Sequence, residues 1–123
     1  MNNELLKQYN LKFVKTKDIR GEIEFGVINT NGKGGVSEFL DDIIVSSEAT
    51  ELLSKVNLYL EGGEDPELNG FLDGRSCYGD IYNESVYIYS IAKSITGPID
   101  IVPLKDFHDL VETWRAFLIQ NGN

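Results

Sequence analysis

Two side chains bound the nucleophilic chemistry open to this chain: one cysteine, Cys77, and one histidine, His108. A nucleophile of that kind needs a base beside it and a third group to orient the base. Neither residue has such a motif around it. Cys77 lies in the strand-like run RSCYGDIY and reads as a small buried thiol. His108 lies in PLKDFHDLVETWRAFL, beside apolar Phe107, and reads as a helix-surface histidine. One of each is too few for a zinc cage. The stretch GVINTNGKGG has the glycines and lysine of a phosphate loop without its spacing. Five residues separate Gly26 from Gly32 where the motif has four, and Gly34 follows Lys33 in place of Ser or Thr. Asn31-Gly32 suits positive φ, so the stretch reads as a hairpin turn.

Carboxylates are the abundant chemical groups. Asp41-Asp42 and the cluster Glu64, Asp65 and Glu67 are close enough in sequence to suggest calcium, but they lack the alternating ligand positions and closing glutamate of an EF-hand loop. A pair of acids also serves hydrolases, at a separation only the fold can set. No cofactor or metal is expected. What stands out is the distribution of charge. The chain of 123 residues has a net charge of -9, and residues 34–90 carry twelve acids against Lys55 and Arg75 alone. The densest part is EGGEDPELNGFLDG, with Glu61, Glu64, Asp65, Glu67 and Asp73 in fourteen residues and no base. Such a field repels nucleic acid and anionic lipid and attracts cationic partners. It also serves solubility when it is merely a solvated surface.

Next to this stretch come Tyr78, Tyr82, Tyr87 and Tyr89, interleaved with Asp80 and Glu84. Tyrosine offers large contact area and a polar tip at low entropic cost, which suits interfaces. In a strand, Tyr78, Asp80 and Tyr82 share one face, as do Tyr87 and Tyr89. The first set reads as an interface, the second pair as core.

The elements that position these residues follow from periodicity. LKFVKTK and GEIEFGVIN alternate as strands, with Ile23, Phe25 and Val27 on one face. VSEFLDDIIVS is ambiguous between strand and helix; Ile43, Ile44 and Val45 favour strand. Ser47 suits an N-cap before the helical spacing of Ala49, Leu52, Leu53, Val56 and Leu60, and Gly62-Gly63 ends that run. RSCYGDIY and ESVYIYSIA form a strand pair joined tightly at Asn83 and Glu84. GPIDIV is a further short strand. Leu104, Phe107, Leu110, Val111, Trp114, Phe117 and Leu118 make the apolar stripe of a C-terminal helix. The expectation is a single domain, residues 1–123, of α+β class: an antiparallel sheet of about five to six strands with two main helices on one face. No segment approaches the roughly 20 apolar residues of a membrane span. The beginning, MNNELLKQYN, lacks the basic-then-apolar pattern of a signal peptide. A lone cysteine fits a reducing compartment. A cytoplasmic location is expected.

Three stretches together resemble the small immunity proteins encoded beside bacterial polymorphic toxins, including those of contact-dependent growth inhibition. They are LLSKVNLYLEGGEDPELNGFLDG, CYGDIYNESVYIYSI and IDIVPLKDFHDLVETWRAFL. The resemblance implies a non-catalytic inhibitor whose partner is a cognate toxin domain, often a nuclease with a Lys- and Arg-lined cleft. On that reading the partner is a basic protein, not nucleic acid or membrane. Asp73 and Asp80 are the central binding candidates, with Tyr78, Tyr82 and Glu84 beside them. Glu61, Glu64, Asp65 and Glu67 form a rim that the loop's glycines leave mobile, and Asp41 and Asp42 are further acidic candidates. The alternatives are a generic acidic interaction or regulatory module and a carboxylate-based enzyme.

Overall fold

The computed structural model describes residues 2–32, 34–92 and 94–123. Lys33, the lysine of GVINTNGKGG, lies outside the described residues. In chain order the elements are α1 (Asn3–Gln8), β1 (Leu11–Lys17), β2 (Ile23–Asn29), α2 (Gly35–Asp41), α3 (Ser46–Leu60), β3 (Phe71–Leu72), β4 (Cys77–Tyr82), β5 (Ser85–Ser90), β6 (Asp100–Pro103) and α4 (Leu104–Gln120). The class is α+β, with antiparallel strands throughout. The six strands divide into two sheets, β1-β2 and β3-β4-β5-β6, where the sequence suggests one.

The predicted stripe of α4 organises the core. Leu104, Phe107, Leu110, Val111, Trp114 and Leu118 are buried, and Phe117 is partly so. The Trp114 indole N–H donates to the carbonyl of Ile43 at 2.8 Å. Its ring packs edge-on to Phe13, with centroids 4.8 Å apart, and stacks on Phe117. Phe13 of β1 and Phe25 of β2 both meet Phe117, which fixes the two-stranded ribbon against α4. α3 lies against α4, burying Ala49, Leu53 and Val56.

The four-stranded sheet buries one face only. Cys77, Val86, Ile88 and Val102 point inward to α2 and α4. Gly79 lies on the same inner face, where a Cβ would crowd Val86 of β5 at 3.2 Å and make ordinary contact with the Phe39 ring of α2 at 3.5 Å. The β4–β5 turn falls at Asn83 and Glu84, both left-handed with φ of 52° and 63°, as a two-residue hairpin loop requires.

Three local expectations differ. VSEFLDD forms α2 and not a strand; Val36, Phe39 and Leu40 are buried at helical spacing, whereas Ile44 and Val45 are exposed. The β1–β2 hairpin turns at residues 18–22, where the Asp18 carboxylate accepts the N–H groups of Arg20 and Glu22 at 2.8 and 2.9 Å. Asn31-Gly32 instead leads from β2 toward α2, with Gly32 at positive φ. α3 has Val45 at its N-cap position, two residues before the expected Ser47 and without a side-chain cap bond, and Glu48 accepts the N–H of Ile44 at 3.1 Å. Among the described residues no helix is long and apolar enough to cross a membrane.

Candidate protein-docking face

Strand alternation decides the site. With Gly79, Val86 and Ile88 turned to the core, the other parity faces outward: Phe71 on β3, Tyr78, Asp80 and Tyr82 on β4, Tyr87 and Tyr89 on β5, Ile101 on β6. Tyr87 and Tyr89, expected in the core, are therefore half-buried members of the outer face. Register makes Asp80 the centre. Its strand partners are Phe71 on one side and Tyr87 on the other, and Tyr78 and Tyr82 flank it along β4. Tyr78 stacks on Tyr89 at 5.1 Å and meets Phe71 at 5.8 Å. Tyr82 is 70% exposed and meets Tyr87 edge-on at 6.1 Å. Ile101, opposite Tyr87, is also exposed. The result is an aromatic and aliphatic surface with a carboxylate in its middle. Asp80 belongs to none of the ion pairs among the described residues.

The acidic loop borders this face. Gly70 accepts the N–H of Ile81 at 2.8 Å, joining the end of the loop to β4. Gly70 has φ of +85°, and a Cβ on it would lie 2.7 Å from the Ile81 carbonyl oxygen, so glycine is required for this approach. The loop carries its own hydrogen bonds. Asp65 caps its turn by accepting from the N–H groups of Glu67 and Leu68 at 3.1 and 3.2 Å, and its own N–H donates to the Tyr59 hydroxyl at 3.0 Å. Glu61, Glu64 and Glu67 are exposed, and Glu84 projects from the hairpin turn beside Tyr82. Residues 61–90 carry seven acids and only one base, Arg75. That base is paired with Glu48 at 2.8 Å.

The remaining acidic candidates lie elsewhere. Asp73 follows β3 and lines a crevice with Glu48, Glu51, Leu52 and Lys55, apart from Asp80. The Asp41 carboxylate accepts the N–H of Val27 at 2.9 Å, tying α2 to β2. The Asp42 carboxylate gathers the N–H groups of Arg75, Ser76 and Cys77 at 3.0, 2.7 and 3.1 Å and the Ser76 hydroxyl at 2.8 Å. Arg75 also donates to the Asp42 carbonyl. These two aspartates serve the fold. Asp42→Ala leaves three backbone donors without their acceptor, and a charge-assisted bond of this kind contributes about 1.5–3 kcal/mol. A lower denaturation midpoint with a loss of about 2–3 kcal/mol is expected, whereas Asp80→Asn should leave the midpoint unchanged. Glu48 shows the electrostatics of the same corner. Burial works to raise its pKa, but hydrogen bonds from Arg75 and Ile44 outweigh it and hold the carboxyl below the usual range.

Cys77 and His108 occupy separate settings. The Cys77 thiol is buried, donates weakly toward Glu38 at 3.5 Å, and has its pKa pushed up to about 11, chiefly by burial. A thiol so placed is protonated at neutral pH and a poor nucleophile. Native protein should therefore react with iodoacetamide at least about a hundredfold more slowly than the urea-unfolded chain, at a rate set by opening of the fold. Equal rates would show the thiol to be accessible. His108 sits on α4 with its ring nitrogens 2.9 Å from Asp109 and 3.6 Å from Glu112. Sequence reasoning placed Tyr78, Asp80 and Tyr82 on one face but missed Phe71, Tyr87, Tyr89 and Ile101. The alternation of Ile101 with buried Val102 was the available signal.

No family model, curated protein or solved structure matches this chain.

Proposed function

We propose that this protein is a non-catalytic immunity protein that binds and neutralises a cognate bacterial toxin domain, a basic protein, in the cytoplasm of the toxin-producing cell. The observation that carries this reading is the outer face of the β3–β6 sheet: five aromatic rings and Ile101 around the Asp80 carboxylate, bordered by the exposed acids of the 61–70 loop and Glu84. A hydrophobic centre with a polar rim is the anatomy of a tight protein interface. The acidic rim selects a cationic occupant by charge complementarity and speeds its approach. A nuclease cleft lined with Lys and Arg has the required charge. Inhibition follows from occupancy, since a docked acidic domain excludes the phosphates that the cleft would otherwise bind.

The test is co-expression with the protein encoded directly upstream. Co-purification through an affinity tag on that protein, together with restored growth of cells expressing it, is the expected result. Growth arrest undiminished by this chain, or no complex at low salt, would contradict the assignment and favour a generic acidic interaction module.

A further inference from the structure

The centre of the docking face carries a shallow, open depression. Asn69, Asp80, Ile81, Tyr82, Tyr87 and Tyr89 line an open cavity of about 380 Å³. We infer that this hollow is a receptor for a single arginine side chain, held flat against a tyrosine ring with its N–H fork on the Asp80 carboxylate. The inference rests on the docking face proposed above and names what fills its centre.

Three features select that ligand. Asp80 and Tyr87 are direct cross-strand partners, so a group lying on the Tyr87 ring is within reach of the carboxylate. The Tyr82 and Tyr87 rings meet at 67° with centroids 6.1 Å apart, forming a corner that offers a cation one ring face and one ring edge. Tyr78 and Tyr89 stack nearly parallel at 13°, which fills the far side and braces Tyr89 as a wall. A guanidinium is planar, weakly hydrated and carries paired donors, so it stacks and binds a carboxylate bidentately at once. An ammonium is compact and strongly hydrated and matches only the charge. The half-buried position of Asp80 among aromatic rings strengthens the ion pair relative to one in open water.

The probe is a capped Gly-Arg-Gly peptide, titrated at low salt into isotope-labelled protein while the aromatic resonances of Tyr82 and Tyr87 are followed by NMR. Saturable shifts in those rings are expected. The same peptide with citrulline, which keeps the shape and removes the charge, should bind at least tenfold more weakly, and the lysine peptide at least threefold more weakly. Asp80→Asn should weaken the arginine peptide at least tenfold, and Tyr82→Leu, an exposed substitution that leaves the fold intact, severalfold. No saturable shift, equal binding of citrulline or lysine, or unchanged binding to Asp80→Asn would each overturn the receptor. The titration contains no toxin. A silent probe thus removes the receptor while the docking face is judged separately by partner binding, and failure of the upstream protein to bind leaves the peptide result standing.

Discussion

Trp114→Ala should leave the protein poorly soluble or partly unfolded. The indole is fully buried, packs on Phe13 and Phe117, and supplies the hydrogen bond to the Ile43 carbonyl. Truncating a buried tryptophan costs about 3–5 kcal/mol. An orphaned buried carbonyl adds about 1–3 kcal/mol. Against a total stability of about 5–15 kcal/mol, that is a large part of what holds the fold together. The effect reaches across the molecule, because this one ring joins α4 to the β1-β2 ribbon and to the segment after α2. Chemical denaturation followed by circular dichroism reads it directly. Trp114→Phe, which retains most of the packing and loses the donor, should fall between parent and alanine variant. An alanine variant with the parent's midpoint would show that α4 does not pack as described.

The second large effect is on binding. Asp80→Asn should speed dissociation of the proposed complex by tenfold or more, tenfold being about 1.4 kcal/mol. Truncating one member of a desolvated charge pair costs about 2–5 kcal/mol, largely in the off-rate. Asp73→Asn should change dissociation less than twofold, since Asp73 lies in the crevice with Lys55 and Glu51 and not on the sheet face. Glu64→Gln and Glu67→Gln, on the exposed rim, should slow association modestly and flatten its salt dependence. Surface plasmon resonance at low and high salt separates the three behaviours. Equal dissociation rates for Asp73→Asn and Asp80→Asn would remove Asp80 from the centre.

The contrast between those two aspartates shows where sequence reasoning stopped. Asp73 and Asp80 both border the tyrosine-rich strands in sequence and read as equivalent. Only the pairing of Phe71 with Asp80, and the end of β3 at Leu72, separates them in space. Local signals were legible where one period dominated. The stripe of α4 is buried as its 3.6-residue spacing indicates, and Asn83-Glu84 marks the β4–β5 turn. Tyr87 and Tyr89 were not legible, because Val86 and Ile88 alternate with them and both parities are apolar. The choice was made by Phe39 of α2 seating on Gly79, a long-range contact. The same holds for VSEFLDD. Its helical burial competes with a β-branched run just after it, and the Asp42 carboxylate that anchors this corner binds N–H groups more than thirty positions away. The split into two sheets also has a non-local cause. The outward N–H of Val27 is taken by Asp41, so β2 meets α2 there and not another strand.

The proposed function requires the sheet face to be covered by the partner protein, and footprinting measures coverage directly. Hydroxyl-radical oxidation read by mass spectrometry gives a rate at each exposed apolar or aromatic side chain, with and without the purified upstream protein. Tyr82, Tyr87 and Ile101 on the sheet face should be protected severalfold in the complex. Ile19 at the tip of the β1–β2 hairpin, Ile23 on the same ribbon and Ile119 at the end of α4 are all exposed in the free protein and should keep their rates. Protection confined to Ile19 and Ile23, with Tyr82 and Tyr87 oxidised as in the free protein, would contradict the account and move the interface to the more basic N-terminal hairpin.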